Sequence, residues 1–277
     1  PEHLDYHRTM EAYRDAKKRL FDDLSPDACA VFNNDDLYGA SVVADSPARR
    51  LSYGRTRDAA IRVEVEANTL AGLHLKLDGQ RGRFRLVGLF NAYNLAAAYG
   101  AAVALGHDGP QVFEALREAP PVPGRFEQIR VSRGRTVVVD YAHTPDALQN
   151  VLQTAAALRP PGAALWCVFG CGGDRDRTKR PAMGAIAERL ADRLIVTSDN
   201  PRSEDPESIL AEIRNGMTRP ERAQWIVDRS AAIEAAAAAS EAGDVVVIAG
   251  KGHETYQIVG EVRTTFDDRE EARRAFA

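Results

Sequence analysis

The sequence predicts an α/β protein whose second half is a doubly wound, mostly parallel sheet, and three observations carry this. From Thr136 onward, apolar strands and helices alternate at regular spacing, the signature of repeated strand–crossover–strand units. Val and Ile occupy successive strand positions, as a sheet covered by helices on both faces requires. Pro120-Pro121-Val122-Pro123-Gly124 disfavours regular structure and reads as a linker, so a first domain over 1–119 precedes a Rossmann-like one over 120–277.

From the start of the chain, Asp5 to Leu24 sets Met10, Tyr13 and Leu20-Phe21 at helical spacing among charged residues and is expected to be an amphipathic helix. The short apolar run Ala28 to Asn33 is a strand, and a helix is expected to begin at Asp35. Arg49 to Leu86 holds several strands broken at Gly54, Gly72 and Asp78-Gly79. An Ala-rich helix runs from Asn91 to Leu105 and stops at Gly106, a residue suited to a helix end. In the second domain the strands are Thr136 to Asp140, Ala164 to Phe169, Arg193 to Thr197, Gln224 to Val227 and Asp244 to Ala249. Between them lie helices Pro145 to Leu158, Pro181 to Leu190, Pro206 to Arg214 and Ser230 to Ser240; a hairpin, Thr255 to Thr265, and a helix from Asp267 follow.

At 277 residues the chain can bury real cores, which excludes a mini-protein stapled by disulfides or metal. Lys and Arg number 36 against 40 Asp and Glu, net −4, so no uniform positive field exists to condense on nucleic acid or anionic lipid. Small molecules are the expected partners, with any anion gripped locally. Cys29, Cys167 and Cys171 form no zinc-type pairs and favour a reducing compartment, so a cytoplasmic location is expected. No apolar run approaches the roughly 18 residues of a membrane span, and membrane insertion is not expected. The start has neither an initiator Met nor signal-peptide character, and a fragment is expected.

In a parallel sheet all strand carboxyl ends share one edge, where ligands bind. Four loops fall there. They are Asp140-Tyr141-Ala142-His143-Thr144-Pro145-Asp146, the stretch from Gly170 to Arg180, Ser198 to Pro206, and Gly250-Lys251-Gly252-His253-Glu254. Each has a plain reading alone: a turn with Thr144 capping the next helix, a Gly turn, an Asx turn closed by Pro201, an ordinary turn. In the second loop, however, glycines free backbone N–H groups to approach an anion that Arg175, Arg177, Lys179 and Arg180 can neutralise. Four polar, Gly-rich loops at one edge point jointly to a binding crevice. Cys171 reads as a small turn residue, His74 and His107 as ordinary surface or strand histidines, and Trp166 and Trp225 as core.

Together these loops, in this order, resemble the carboxyl-terminal domain of the Mur ligases, most closely the members that add diaminopimelate. Pro123-Gly124-Arg125-Phe126-Glu127 is similar to the start of that domain, and Asn91-Ala92-Tyr93-Asn94-Leu95 to a helix start late in the family's central domain. The resemblance covers essentially the whole chain. It implies that 1–119 is the later part of the central ATP-binding domain and 120–277 the amino-acid-binding ligase domain. His3-Leu4-Asp5-Tyr6-His7, with Ala16-Lys17 and Leu20-Phe21, is similar to a segment in which a His and a carbamylated Lys bind magnesium, which makes His3 and Lys17 expected metal ligands. Carbamylation turns an amine into a hard oxygen ligand, which Mg2+ prefers. The family's Gly-rich phosphate loop ending in Gly-Lys-Thr or Gly-Lys-Ser, and its uridine-nucleotide-binding first domain, have no match here, so no turnover by this chain alone is expected.

The implied reaction is ATP-dependent: a glutamyl carboxylate of a UDP-MurNAc-dipeptide becomes an acyl phosphate, and an amine of meso-diaminopimelate attacks it. The resemblance assigns Lys17 and His143 to catalysis and Asn94, Arg125, Asp140 and His143 to the nucleotide. It assigns Arg175, Asp199, Asn200, Pro201, Arg202, Gly250 and Glu254 to the amino-acid pocket. A diacid diamine wants two guanidinium forks and at least one acid, which Arg175, Arg202 and Glu254 supply. Lysine lacks the distal carboxylate, and sites built for a polar partner reject its absence by factors on the order of 10^4. A monomer is expected. The competing readings are a related ligase adding lysine or glutamate, and a binding module without chemistry.

Overall fold

The computed structural model describes residues 9–129 and 131–277 and divides into two compact units, 1–120 and 121–277.

In the first unit, helix α1 (Met10–Asp22) starts where the Thr9 hydroxyl accepts the Ala12 N–H at 3.1 Å. The part of the expected helix before Thr9 lies outside the described residues. Strands β1 (Cys29–Asn33), β2 (Arg49–Gly54), β3 (Ile61–Thr69), β4 (Gly72–Leu77) and β5 (Gln80–Phe84) form one sheet in that order. The first three are parallel and the last three antiparallel. In β4 the fully buried Leu73, Leu75 and Leu77 alternate with His74 and Lys76, so one face is core and the other is not. Helix α3 (Leu89–Ala104) packs Ala92, Leu95, Ala96 and Tyr99 onto that apolar face.

Two expectations fail in this unit. The helix expected at Asp35 shrinks to α2 (Gly39–Val42), because the Asp35 carboxylate does not cap a helix. It accepts instead the Arg55 N–H at 2.7 Å, the Thr56 hydroxyl at 2.8 Å and the Tyr93 hydroxyl at 3.0 Å, stapling the loop to the end of β2. An unexpected helix, α4 (Gly109–Glu118), is capped by Asp108 and carries a proline in its first turn; its Phe113 meets Phe84 edge-on at 5.4 Å.

The second unit holds β6 (Glu127–Ile129), β7 (Thr136–Asp140), β8 (Leu165–Phe169), β9 (Arg193–Val196), β10 (Ala223–Trp225) and β11 (Val245–Ala249) in the order β10-β9-β8-β11-β7-β6. All are parallel except the short edge strand β6, which the periodicity missed. The crossovers are α5 (Pro145–Leu158), α6 (Lys179–Leu190), α7 (Pro206–Arg214) and α8 (Arg229–Ala239); α9 (Asp268–Ala275) comes last. Val137, Val139, Trp166, Val168, Val246 and Ile248 pack with Ala232, Ile233, Ala272 and Phe276 in one core. The alternate residues Val138, Cys167 and Val247 are equally buried toward the opposite face, as a doubly wound sheet demands. Because β11 inserts between β8 and β7, strand order reverses there, which is where such sheets open a crevice at their carboxyl edge. The expected hairpin forms its own ribbon, β12 (Tyr256–Val259) with β13 (Val262–Thr265).

Candidate active site

Strands β9, β8, β11 and β7 are adjacent and parallel, so the four polar loops leave one edge side by side. The loops after β8 and β9 are stitched together by backbone: the Gly173 N–H donates to the Asn200 carbonyl at 2.9 Å. Only glycine fits there, since a Cβ on Gly173 would lie 1.8 Å from the Pro201 carbonyl oxygen. A Cβ placed on Gly172 would be 3.0 Å from Arg202 Nη1 and 3.8 Å from Arg175 Cγ, so the two arginines flank a single residue. Arg175 is exposed and donates to the Asp174 carbonyl, whereas Arg202 is half-buried and donates through Nη1 to the Gly173 carbonyl at 2.7 Å.

On the other side of the crevice, Asn200 is a hub. Its Oδ1 accepts from Lys251 Nζ and from the Ile258 N–H, both at 3.0 Å, while its Nδ2 donates to Glu254 Oε2 at 2.8 Å. An ammonium has only donors, so Lys251 fixes which end of the amide faces Glu254. Lys251 is fully buried, and desolvation lowers its pKa against the pull of Asp199 and Glu254. Asp199 is buried with Oδ2 against Gly250: a Cβ on Gly250, whose φ is +123°, would come within 2.5 Å of that oxygen. Pro201 is buried between Asn200 and Arg202. Arg175, Asp199, Asn200, Pro201, Arg202, Gly250 and Glu254 thus lie on adjoining loops at one sheet edge.

Beneath it lies Arg229, fully buried. Nη1 donates to the Ser198 carbonyl at 3.2 Å, and Nη2 to the Ala249 carbonyl at 3.0 Å, just before Asp199 and Gly250 respectively. Nε and Nη2 take both oxygens of the equally buried Asp268 at 2.7 Å. Sequence reading missed Lys251 and Arg229; the signal available for Lys251 was its place inside a loop already singled out.

A second cluster forms around Tyr141. The Arg125 guanidinium lies 4.6 Å from the ring centroid, the His143 ring 4.5 Å and the His253 ring 5.2 Å. His143 Nδ1–H donates to the Tyr141 carbonyl at 2.8 Å, which leaves Nε2 as the ring's acceptor, and Lys179 Nζ donates to the His143 carbonyl at 2.8 Å. Burial raises the Asp140 carboxyl to about 6, although the Phe126 N–H at 2.7 Å and Arg125 favour its charged form. The expected Thr144 cap is present, its hydroxyl accepting the Ala147 N–H at 3.3 Å. Burial pushes the Cys171 thiol up to about 12, in keeping with a packing role.

In the first unit Asn94 is exposed on α3 and donates to Asn91 Oδ1 at 3.1 Å. Lys17 is exposed on α1 with Nζ 4.7 Å from the Tyr13 ring centroid. His3 lies outside the described residues, and among the described residues no three of His, Cys, Asp and Glu gather to hold a metal.

Comparison with known proteins matches the chain to one family. The profile described as Mur ligase, glutamate ligase domain, covers residues 124–252, and that of the Mur ligase middle domain covers residues 1–102. A UDP-N-acetylmuramoyl-L-alanyl-D-glutamate–2,6-diaminopimelate ligase of Thermosynechococcus vestitus is 48% identical over 282 residues, 99% of this chain and 56% of its own length. One of the same name from Cytophaga hutchinsonii is 43% identical over 270 residues, 97% of this chain and 55% of its own. A solved structure of a ligase of that name superposes with a TM-score of 0.63 at 41% identity, covering 98% of this chain and 57% of the other. A Thermotoga maritima MurF ligase solved with ADP reaches 0.70 at 18% identity, covering 99% and 59%, a likeness of fold alone. The chain therefore spans little more than half the length of these relatives.

Proposed function

The chain belongs to the Mur ligase family, and from that premise we propose that it is part of the ATP-dependent ligase that joins diaminopimelate to UDP-N-acetylmuramoyl-L-alanyl-D-glutamate in peptidoglycan synthesis. Residues 1–119 are then the later part of the central ATP-binding domain, and 120–277 the amino-acid-binding domain. The observation that carries this reading is that two arginine side chains, Arg202 through its guanidinium and Arg175 through its Cγ, flank Gly172 on the same sheet edge as the acids Asp199 and Glu254. Arg175 and Arg202 take the two carboxylates of the amino acid, and Glu254 and Asp199 take its ammonium groups. Gly250 and Pro201 shape the wall, and Asn200 aims Glu254. Positioning the amine against the activated carboxyl, and stabilising the charge that develops, are the protein's main contributions.

The Tyr141 cluster fits a nucleotide: a guanidinium stacked on an aromatic ring, a nearby lysine for phosphate charge, and an acid suited to ribose hydroxyls. Arg125, Asp140 and His143 hold it in this reading, with His143 Nε2 as a proton acceptor. ATP, when bound, supplies the phosphoryl group that activates the glutamyl carboxylate. As an ammonium, Lys17 offers only donors and cannot ligate a cation; once carbamylated it presents oxygens suited to Mg2+ alongside His3. The protein acts in the cytoplasm as a monomer on small molecules, without nucleic acid or membrane insertion. The net charge of −4 argues against a general affinity for nucleic acid or anionic lipid, and among the described residues no helix is long and apolar enough to cross a membrane.

Titration calorimetry of this chain with meso-diaminopimelate and with lysine tests the proposal. Binding of the diacid that Arg202→Ala weakens at least about tenfold is expected, one charge-assisted contact being worth roughly 1.5–3 kcal/mol. Lysine binding as tightly as the diacid would overturn it.

A further inference from the structure

Arg180 sits in the first turn of α6 with no exposed surface, and all its hydrogen bonds go to the loops and helix around the crevice. Nη1 donates to Glu204 Oε2 and Glu212 Oε2, each at 2.8 Å. Nη2 donates to Glu204 Oε1 at 2.8 Å and to the Gly172 carbonyl at 3.0 Å. Glu204 also accepts the Asp174 N–H at 2.7 Å, and the guanidinium holds its carboxyl down to about 2. One buried side chain therefore fastens the loop after β8 to the loop after β9.

The consequence falls on Arg202. Peptide planes are rigid, so the Asp174 N–H on Glu204 holds the plane that carries the Gly173 carbonyl, while Arg180 anchors Glu204 and, through the Gly172 carbonyl, the plane before it. The Gly173 carbonyl accepts Arg202 Nη1 at 2.7 Å, and the Asn200 carbonyl accepts it at 3.4 Å. Arg202 itself has a φ of +53°, unusual for a residue with a side chain, and is kept there by its N–H on the Ile258 carbonyl and its carbonyl on the Gly260 N–H. With Nη1 committed, Nε and Nη2 make no hydrogen bond among the described residues. Together they form the side-on edge of a guanidinium that grips a carboxylate with two parallel bonds.

We infer that Arg180 is a positioning residue that never touches ligand: it locks the Gly172–Gly173 peptide and, through Glu204, the Gly173–Asp174 peptide, so that Arg202 keeps Nη1 on the protein and turns its Nε/Nη2 edge to a carboxylate of the bound amino acid. The class of ligand rests on the function proposed above; the tether does not. Losing Arg180 then costs discrimination between a diacid and a monoacid rather than binding in general. Glu204, the counter-charge of the lock, shares the effect.

The test uses the whole chain and the variants Arg180→Lys, which keeps the charge but not the fork, and Glu204→Gln, which keeps the shape and serves if the first fails to fold. Without ligand, 15N spectra of the arginine side chains are expected to show separate Nη1 and Nη2 signals for Arg202 in the wild type and merged signals in the variants. With ligand, the affinity ratio of meso-diaminopimelate over lysine is expected to drop about tenfold, the weight of one charge-assisted contact, while lysine affinity stays constant. Arg202 signals that remain separate in the variants, or affinities for both amino acids that fall in the same proportion, would overturn the inference. A wild type that binds neither amino acid refutes the proposed ligand, and the Arg202 signals still decide the tether.

Discussion

Replacing Arg229 by methionine empties the junction beneath the Asp199 and Gly250 loops. The guanidinium and its partner Asp268 are both fully buried and joined by two bonds of 2.7 Å, and the same side chain donates to the Ser198 and Ala249 carbonyls. Methionine leaves the Asp268 carboxylate uncompensated in a dry site. Breaking a buried pair from one side costs about 3–5 kcal/mol, and each carbonyl that loses its donor adds about 1, for a loss of roughly 5–7. That is enough to unfold a marginal domain. In the double variant Arg229→Met/Asp268→Leu the charge goes too, and about 2 kcal/mol remains from the carbonyls. Both tryptophans, Trp166 and Trp225, lie in the second unit, so their fluorescence in urea reports its unfolding alone. A single variant losing less than about 2 kcal/mol, or a double variant no more stable than the single, refutes the reasoning.

Three further outcomes are expected. The Asp140 carboxyl is raised to about 6 by burial, above its unfolded value of about 3.9, so its contribution to stability is full below pH 4 and is lost as pH rises through 6; Asp140→Asn should flatten that decline in the urea midpoint, and an unchanged slope would contradict it. Gly173→Ala drives a methyl to 1.8 Å from the Pro201 carbonyl oxygen, a backbone atom that cannot swing aside, and should cost at least about 1–3 kcal/mol by the same fluorescence; a loss below about 0.5 would mean the loops separate easily. Cys167 and Cys171, both with thiols pushed up to about 12 by burial, should react with a disulfide reagent only on unfolding, whereas the partly exposed Cys29 should react first; rapid labelling of either buried thiol would contradict the packing described.

The parts of the fold set by repeating pattern could be read from sequence, and the parts set by single contacts could not. Alternation from Thr136 onward predicted both the parallel sheet and the edge on which its loops meet, and Thr144 announced its helix. Strand β6 escaped because three residues pairing at an edge leave no period to detect. The helix wrongly expected at Asp35 shows the same limit, since its carboxylate is claimed by Arg55, Thr56 and Tyr93, residues 20 to 58 positions away. In the crevice, the residues on loops stood out through their polar, Gly-rich setting. Arg180 reads there as one of four cations open to a bound anion, whereas it is buried on Glu204 and Glu212, and Arg229 and Lys251 are given no role, because a charged residue reads as surface and the partners Glu204, Asp268 and Asn200 lie 24, 39 and 51 positions away. Burying such charges is tolerable only with those partners in place, and that is tertiary information.

The most direct measurement is a crystal structure of this chain grown with meso-diaminopimelate. One carboxylate of the amino acid should lie on the Nε/Nη2 edge of Arg202 with an ammonium group within hydrogen-bond distance of Glu254. A bound molecule that leaves that edge unpaired, or that sits away from the loops after β8, β9 and β11, would contradict the account.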